Sequence, residues 1–369
     1  MDLSCLKVDF NKRTKNEEMQ IGVWKKEKMT VNPLLLSVPD PQNPFKEHND
    51  YDIHFDMDKM LENELHNVYH AFRGNSVASV RSDGGCGIFP TMFGLTQDYF
   101  PDKKPWMTSH LTKEQISNMK KSDIKPGEQF LRTLDEMKYF VKTLGDLVYV
   151  YPPDLQGPFD TAHIVYGDPI FYDLYDDEEF MDHLLDLSCH AIITGMEMVF
   201  DILPQSKRLV PHYNSLVLPA DMGGLKLSED TSTLLSQEHI ERFIVPYSSK
   251  VLEHFGGGYI HYCGKNDHLL ENLLGIEKNF GINFGNPDMH DMPQVLQRCA
   301  QAGKIFHGRV FDSYQPLDQL QGMFEQMLTA SHADGRFNLL MTYFCAPEEA
   351  GAVMEKWERA NQNVRERLW

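Results

Sequence analysis

Nowhere in the 369 residues does an uninterrupted apolar run approach the roughly 18 to 20 positions of a membrane-spanning helix. The opening Met1-Asp2-Leu3-Ser4 lacks the apolar core of a secretory signal, so no membrane partner is expected. Positive charge is scarce: 35 Lys and Arg face 54 Asp and Glu, a net charge of −19 with neutral histidines. Beyond the short runs Lys25 to Lys28 and Lys120 to Lys121 there is no basic patch, which argues against nucleic acid as a partner. Cysteine is sparse, with six at positions 5, 86, 189, 263, 299 and 345, and the spacing is not that of a disulfide-stapled domain. Reduced thiols and a cytoplasmic address are expected, and a cysteine with a special role is then a ligand or a nucleophile. The glycine runs Gly84-Gly85-Cys86-Gly87 and Gly256 to Gly258 lack the strand-to-helix context of a phosphate cradle and read as turns. No internal repeat or Ser/Gly linker is visible.

What is present is a chain with 41% apolar residues, long enough for a full core. Short apolar or β-branched runs read as eight strands: Pro33 to Val38, Ser76 to Arg81, Leu147 to Tyr151, Ser215 to Pro219, Gly258 to Cys263, Gly281 to Phe284, Lys304 to Val310 and Asn338 to Phe344. Segments with apolar residues at steps of three and four alternate with them: Met57 to Ala71, Gln129 to Thr143, Glu178 to Phe200, Gln237 to Phe255, Asp267 to Leu274, Met292 to Ala302, Leu317 to Ser331 and Glu348 to Arg367. This alternation predicts an α/β chain folded as a single (β/α)8 TIM-type barrel. Residues 1–32 form an N-terminal extension packed on the barrel, which spans 33–369. The stretch from about 82 to 126, too long for a simple loop, is an insertion after the second strand that overlies the mouth.

In such a barrel the reacting groups sit at the C-terminal strand ends. The fifth strand ends in His261-Tyr262-Cys263-Gly264, and alternation turns His261 and Cys263 to one side. The eighth strand runs into Cys345. Two cysteines and one histidine offer three ligands to Zn²⁺ with a fourth position open to exchange. His-x-Cys also arises by chance, and free cysteine is a common core residue.

Longer pieces of the chain carry a resemblance. Leu155-Gln156-Gly157-Pro158-Phe159 leads to Ile164-Val165-Tyr166-Gly167 and a helix from Phe180 to Ala191. There follow Asp221-Met222-Gly223-Gly224, Leu235-Ser236-Gln237-Glu238, Phe243 to Tyr247 and His261-Tyr262-Cys263-Gly264. From about Arg13 onward the chain resembles the uroporphyrinogen decarboxylase superfamily, in particular its zinc-dependent corrinoid methyltransferases. The resemblance implies a zinc site at His261, Cys263 and Cys345. It implies a methyl group moved between a corrinoid, free or on a partner protein, and a small thiol or other acceptor. A decarboxylase of a tetrapyrrole or smaller carboxylate, and a non-catalytic corrinoid- or metal-binding barrel, are the alternatives. Asp221, taken to follow the fourth strand, matches a family carboxylate near the site; a turn residue before Gly223 and Gly224 is the equal alternative.

Two departures stand out. Where the decarboxylases carry an arginine-rich motif, this chain has Ser37-Val38-Pro39-Asp40-Pro41-Gln42, without arginine. At the seventh strand, where many members have a Gly-Asn pair, it reads His307-Gly308-Arg309, which puts a basic residue near the mouth. After the sixth strand, Asp288 is the first choice for a ligand or water-orienting carboxylate and His290 the second, with Asp291 as a helix cap. Cys86 and Tyr151, with His307 and Arg309, are candidates for the substrate pocket. Lys103, Lys104 and Trp106 in the insertion are candidates for a docking edge toward a corrinoid protein.

Overall fold

The computed structural model describes residues 1–368 except 30, 73–75, 204–208, 213–215 and 312–314, and for 209–212 the backbone alone. Eight short strands carry the architecture: β1 (Leu34–Ser37), β2 (Ser79–Val80), β3 (Tyr149–Val150), β4 (Leu225–Ser228), β5 (Gly258–Tyr262), β6 (Asn279–Phe284), β7 (Ile305–Gly308) and β8 (Leu339–Phe344). Six pair in parallel as one sheet in the order β1-β8-β7-β6-β5-β4. β2 and β3 form a separate parallel pair. The segment after β3 meets β4 through a parallel bridge of Gln156 with Ser228, where Gly157 N–H donates to Ser228 O at 2.6 Å. On the other side, the Ser76 hydroxyl donates to Leu36 O of β1 at 3.3 Å.

Helices follow the strands: α1 (Phe10–Trp24), α2 (Met57–Val68), α3 (Glu128–Leu144), α4 (Pro158–Tyr166), α5 (Glu178–Ile202), α6 (Val245–Phe255), α7 (Asp267–Gly275), α8 (Met292–Gln301), α9 (Leu317–Ala330) and α10 (Ala350–Leu368). Their starts are capped locally: Asp56, Asp177, Asn266 and Asp291 each accept a backbone N–H from the first turn. The periodic stretch from Gln237 to Phe255 begins helical, passes through a π turn at Ile240–Ile244 and continues as α6. Pro246, which has no N–H to give, follows that turn. No described helix is long and apolar enough to cross a membrane.

The fourth strand differs from the sequence expectation. Leu216–Pro219 pairs antiparallel with Leu209–His212 in a two-stranded ribbon outside the main sheet; Ser215 lies outside the described residues. The sheet strand is Leu225–Ser228. The Asp-Met-Gly-Gly motif therefore precedes β4, at its N-terminal end. There Gly223 has φ +87°, and a Cβ on it would stand 1.9 Å from Gly257 O, so the motif serves a close backbone crossing.

Alternation along the strands separates two apolar regions. Leu34, Leu36, Ile260, Tyr262, Phe306, Leu339 and Met341 join the helices in the main core. Leu35, Tyr259, Ile305 and Leu340 belong to a second cluster with Val23 and Trp24 of α1 and Leu216 and Leu218 of the ribbon. The last turn of α1 thus packs against the sheet face opposite the main core. Trp24→Ala is expected to lower stability by about 3 to 5 kcal/mol. Urea unfolding of the variant checks this.

Candidate functional site

At the C-terminal ends of β4 and β5, Asp230, His261 and Cys263 bring a carboxylate oxygen, an imidazole nitrogen and a sulfur within 4.8 Å of one another. His261 Nε2 stands 3.5 Å from Cys263 Sγ and 3.7 Å from an Asp230 oxygen. Asp230 is held by the Cys263 N–H, which donates to it at 2.6 Å.

The imidazole is oriented from behind. Asn283 of β6 donates its amide N–H to His307 O, which turns its carbonyl oxygen to His261 Nδ1 at 2.5 Å. Nδ1 is therefore the protonated nitrogen, and Nε2 faces Asp230 and Cys263 with its lone pair available. Two glycines make room: a Cβ on Gly308 would lie 2.4 Å from the Asn283 amide nitrogen, and one on Gly285 would lie 2.3 Å from Cys263 Sγ.

Buried carboxyls stand behind the half-exposed donors. Asp160 accepts the N–H groups of Asp230 and Thr231 at 2.7 and 2.9 Å. Burial, then the charge of Asp230, raises its carboxyl to about 7. Burial and Asp160 push Glu229 well above the usual carboxylate range, although Ser248 and Ser232 donate to it. Burial and Asp230 raise the Cys263 thiol to about 11. Burial and Lys226 lower His261. A cation beside these groups would reverse the bias toward protonated carboxyls and thiol, and N, O and S donors together suit Zn²⁺.

The cluster borders a cavity of about 690 Å³. His261, Asp230 and Lys226 line its inner end, Ile164 of α4 one side, and Trp106, Met107 and His110 of the insertion another. Lys226 is buried and pairs with Asp154 at 2.8 Å; Arg81 lies 3.6 Å from the same carboxylate. These two cations hold Asp154 far below the usual carboxylate range despite its burial.

The structure distributes the sequence candidates unevenly. His261 and Cys263 meet as expected. Cys345 packs in the main core just past β8, outside the donor group, and Asp230 stands third instead. Asp221 is mostly exposed and pairs with Lys25 at 2.9 Å, at the far end of β4. Asp288 is exposed in a short turn, and His290 stacks on Phe284 at 4.1 Å with Nε2 3.0 Å from Gly264 O. Asp291 caps α8. Cys86 lines the cavity, its thiol raised to about 12 by burial and Asp154. Tyr151 lines a narrow void beside Arg81 and Lys226. His307 is buried on β7 against Tyr259. Exposed Arg309 donates to Gly285 O at 3.5 Å, one residue from the backbone beside Cys263. Lys104 is exposed and bonds Asp50 at 2.8 Å and Asp83 at 2.9 Å, which ties the insertion down. Lys103 lies over the Phe100 ring.

Sequence reasoning missed Asp230, Asn283 and the Asp154–Lys226 pair. The alternation Leu225-Lys226-Leu227-Ser228, followed by Glu229-Asp230, was the available signal for the first and last. Should the donor group take up added Zn²⁺, Asn283→Ala is expected to weaken that uptake by about 10- to 100-fold with little change in fold, and uptake should release protons and strengthen as pH rises. Competition titrations at two pH values check both.

No protein-family profile matches the chain, and no curated protein matches its sequence. Its fold is similar to that of a methyltransferase from Methanosarcina mazei, with a TM-score of 0.62 and 11% sequence identity over 93% of this chain and 98% of the other.

Proposed function

We propose that the chain is a zinc-dependent methyltransferase on an eight-stranded barrel, moving a methyl group between a corrinoid and a small thiol. One observation carries the reading. On a fold shared with a methyltransferase, Asp230, His261 and Cys263 converge at the C-terminal strand ends, and they open into a cavity large enough for a small molecule.

Zinc held there would supply a Lewis acid that lets a thiol ionise near neutral pH. The chain's own residues then do the positioning. Asn283 fixes the His261 tautomer so that Nε2 is the ligand atom. The Cys263 N–H aims the Asp230 carboxylate. Gly285 leaves space for the Cys263 sulfur. Burial pushes the carboxyls of Asp160 and Glu229 toward the protonated form, which lessens the negative charge behind the donors. A corrinoid, free or on a carrier protein, would approach through the cavity that Asp230 and His261 line. A decarboxylase reading gains no support, because Lys226 and Arg81, the inner cations suited to gripping carboxylates, are both engaged with Asp154.

Purified protein should hold about one zinc per chain, and zinc removal should abolish demethylation of methylcobalamin by a thiol. Cys263→Ser and Asp230→Ala should lose the metal, whereas Cys345→Ser should keep it. Zinc retained in Asp230→Ala but lost in Cys345→Ser would replace the third ligand. A metal-free protein with full activity would overturn the zinc reading, and a zinc-loaded protein inert toward methylcobalamin would overturn methyl transfer.

A further inference from the structure

The inner polar groups of the cavity are already spoken for. Lys226 pairs with Asp154 at 2.8 Å, and Asp160 accepts two backbone N–H groups. At the outer end, His163 bonds Asp168 at 3.2 Å and stands 3.4 Å from the Thr231 hydroxyl, while His110 Nδ1 lies 3.0 Å from Ile164 O. A charged substrate tail at this end would have to compete with these existing pairs for its partner.

The surface left to contact is flat and apolar. Trp106 stands in the ribbon Gln97–Asp98 with Trp106–Met107, and its indole is 53% exposed although it lines the cavity. Among the described residues no ring or cation covers it. Met107, Ile164 and Pro169 continue this wall, and the Cys86 thiol, kept protonated by burial, adds a neutral polarisable group. The wall is not loose. Gln97 donates to Gly84 O at 2.8 Å, Leu111 N–H to Val165 O at 2.9 Å, and Lys104 bonds Asp50 and Asp83.

We infer that this end of the cavity receives the body of a substrate that is planar, conjugated and uncharged, stacked on Trp106, with its reacting group directed to the Asp230, His261 and Cys263 end. The inference rests on the methyltransferase reading for what the reacting group does, but the stacking site stands without a metal. A rigid indole gains from a flat π-face what it cannot gain from a puckered ring of the same carbon skeleton.

The test uses metal-free full-length protein and calorimetric titration with two matched alcohols, naphthalen-2-ylmethanol and its fully saturated decahydro analogue. The planar alcohol should bind about tenfold more tightly. Trp106→Ala should erase that preference, and Trp106→Phe should keep most of it, with circular dichroism showing all three proteins folded. With Trp369, which lies outside the described residues, replaced by Phe in every protein compared, quenching of tryptophan emission by the planar alcohol should vanish in Trp106→Phe, because Trp24 and Trp357 are buried. Equal affinity for the two alcohols, or a preference that survives in Trp106→Ala, overturns the inference. Because neither alcohol carries a thiol and no zinc is present, failure here leaves the zinc reading standing, and failure of the zinc reading leaves this result interpretable.

Discussion

Everything at the site depends on the two-residue alternation of side chains along parallel strands that end on one side of the molecule. Odd positions of β5 place Tyr259, His261 and then Cys263 on one face, while Ile260 and Tyr262 go to the helices. The same rule puts Asn283 of β6 behind His261, since residues 283 and 261 are register partners in neighbouring strands. A one-residue slip in that pairing would bring Phe284 or Ile282 to the imidazole in place of a hydrogen-bond acceptor. The donor group is therefore as precise as the ladder that carries it.

Polarity is layered along the same face. Trp24, Leu35, Ile305 and Leu340 form an apolar layer near the start of the strands. Lys226, Asp154, Arg81 and His261 form a polar layer further along. A lysine at an inward strand position is costly unless a counter-charge is fixed beside it. Asp154, arriving from the loop after β3, is that counter-charge, and the neighbouring bridge of Gln156 to Ser228 secures the loop carrying it.

Most of this architecture was legible in the chain, and the miss has a physical cause. Seven of the eight strand regions and nearly every long helix follow from period and turn chemistry. β4 escaped because Lys226 interrupts its apolar run, whereas Leu216 to Pro219 looks more strand-like by composition and forms a ribbon. That one error moved Asp221 to the wrong end of a strand and hid Asp230, two residues past the true one. His261 and Cys263 were readable because both lie on one strand and local spacing fixes their relation. Cys345 continues the alternation that sends Leu339, Met341 and Tyr343 of β8 toward the helices, and it lies with them in the main core. Asn283 has no local signature, since its role is set by a neighbour 22 residues away.

The packing of Trp24 and the ribbon at the start of the strands has a consequence for traffic. With that end filled among the described residues, the cavity lined by Asp230 and His261 lies toward the other end of the strands. Were methyl transfer to run there as proposed, the small reactant would have to be in place before a large one covered the opening, and would leave only after it.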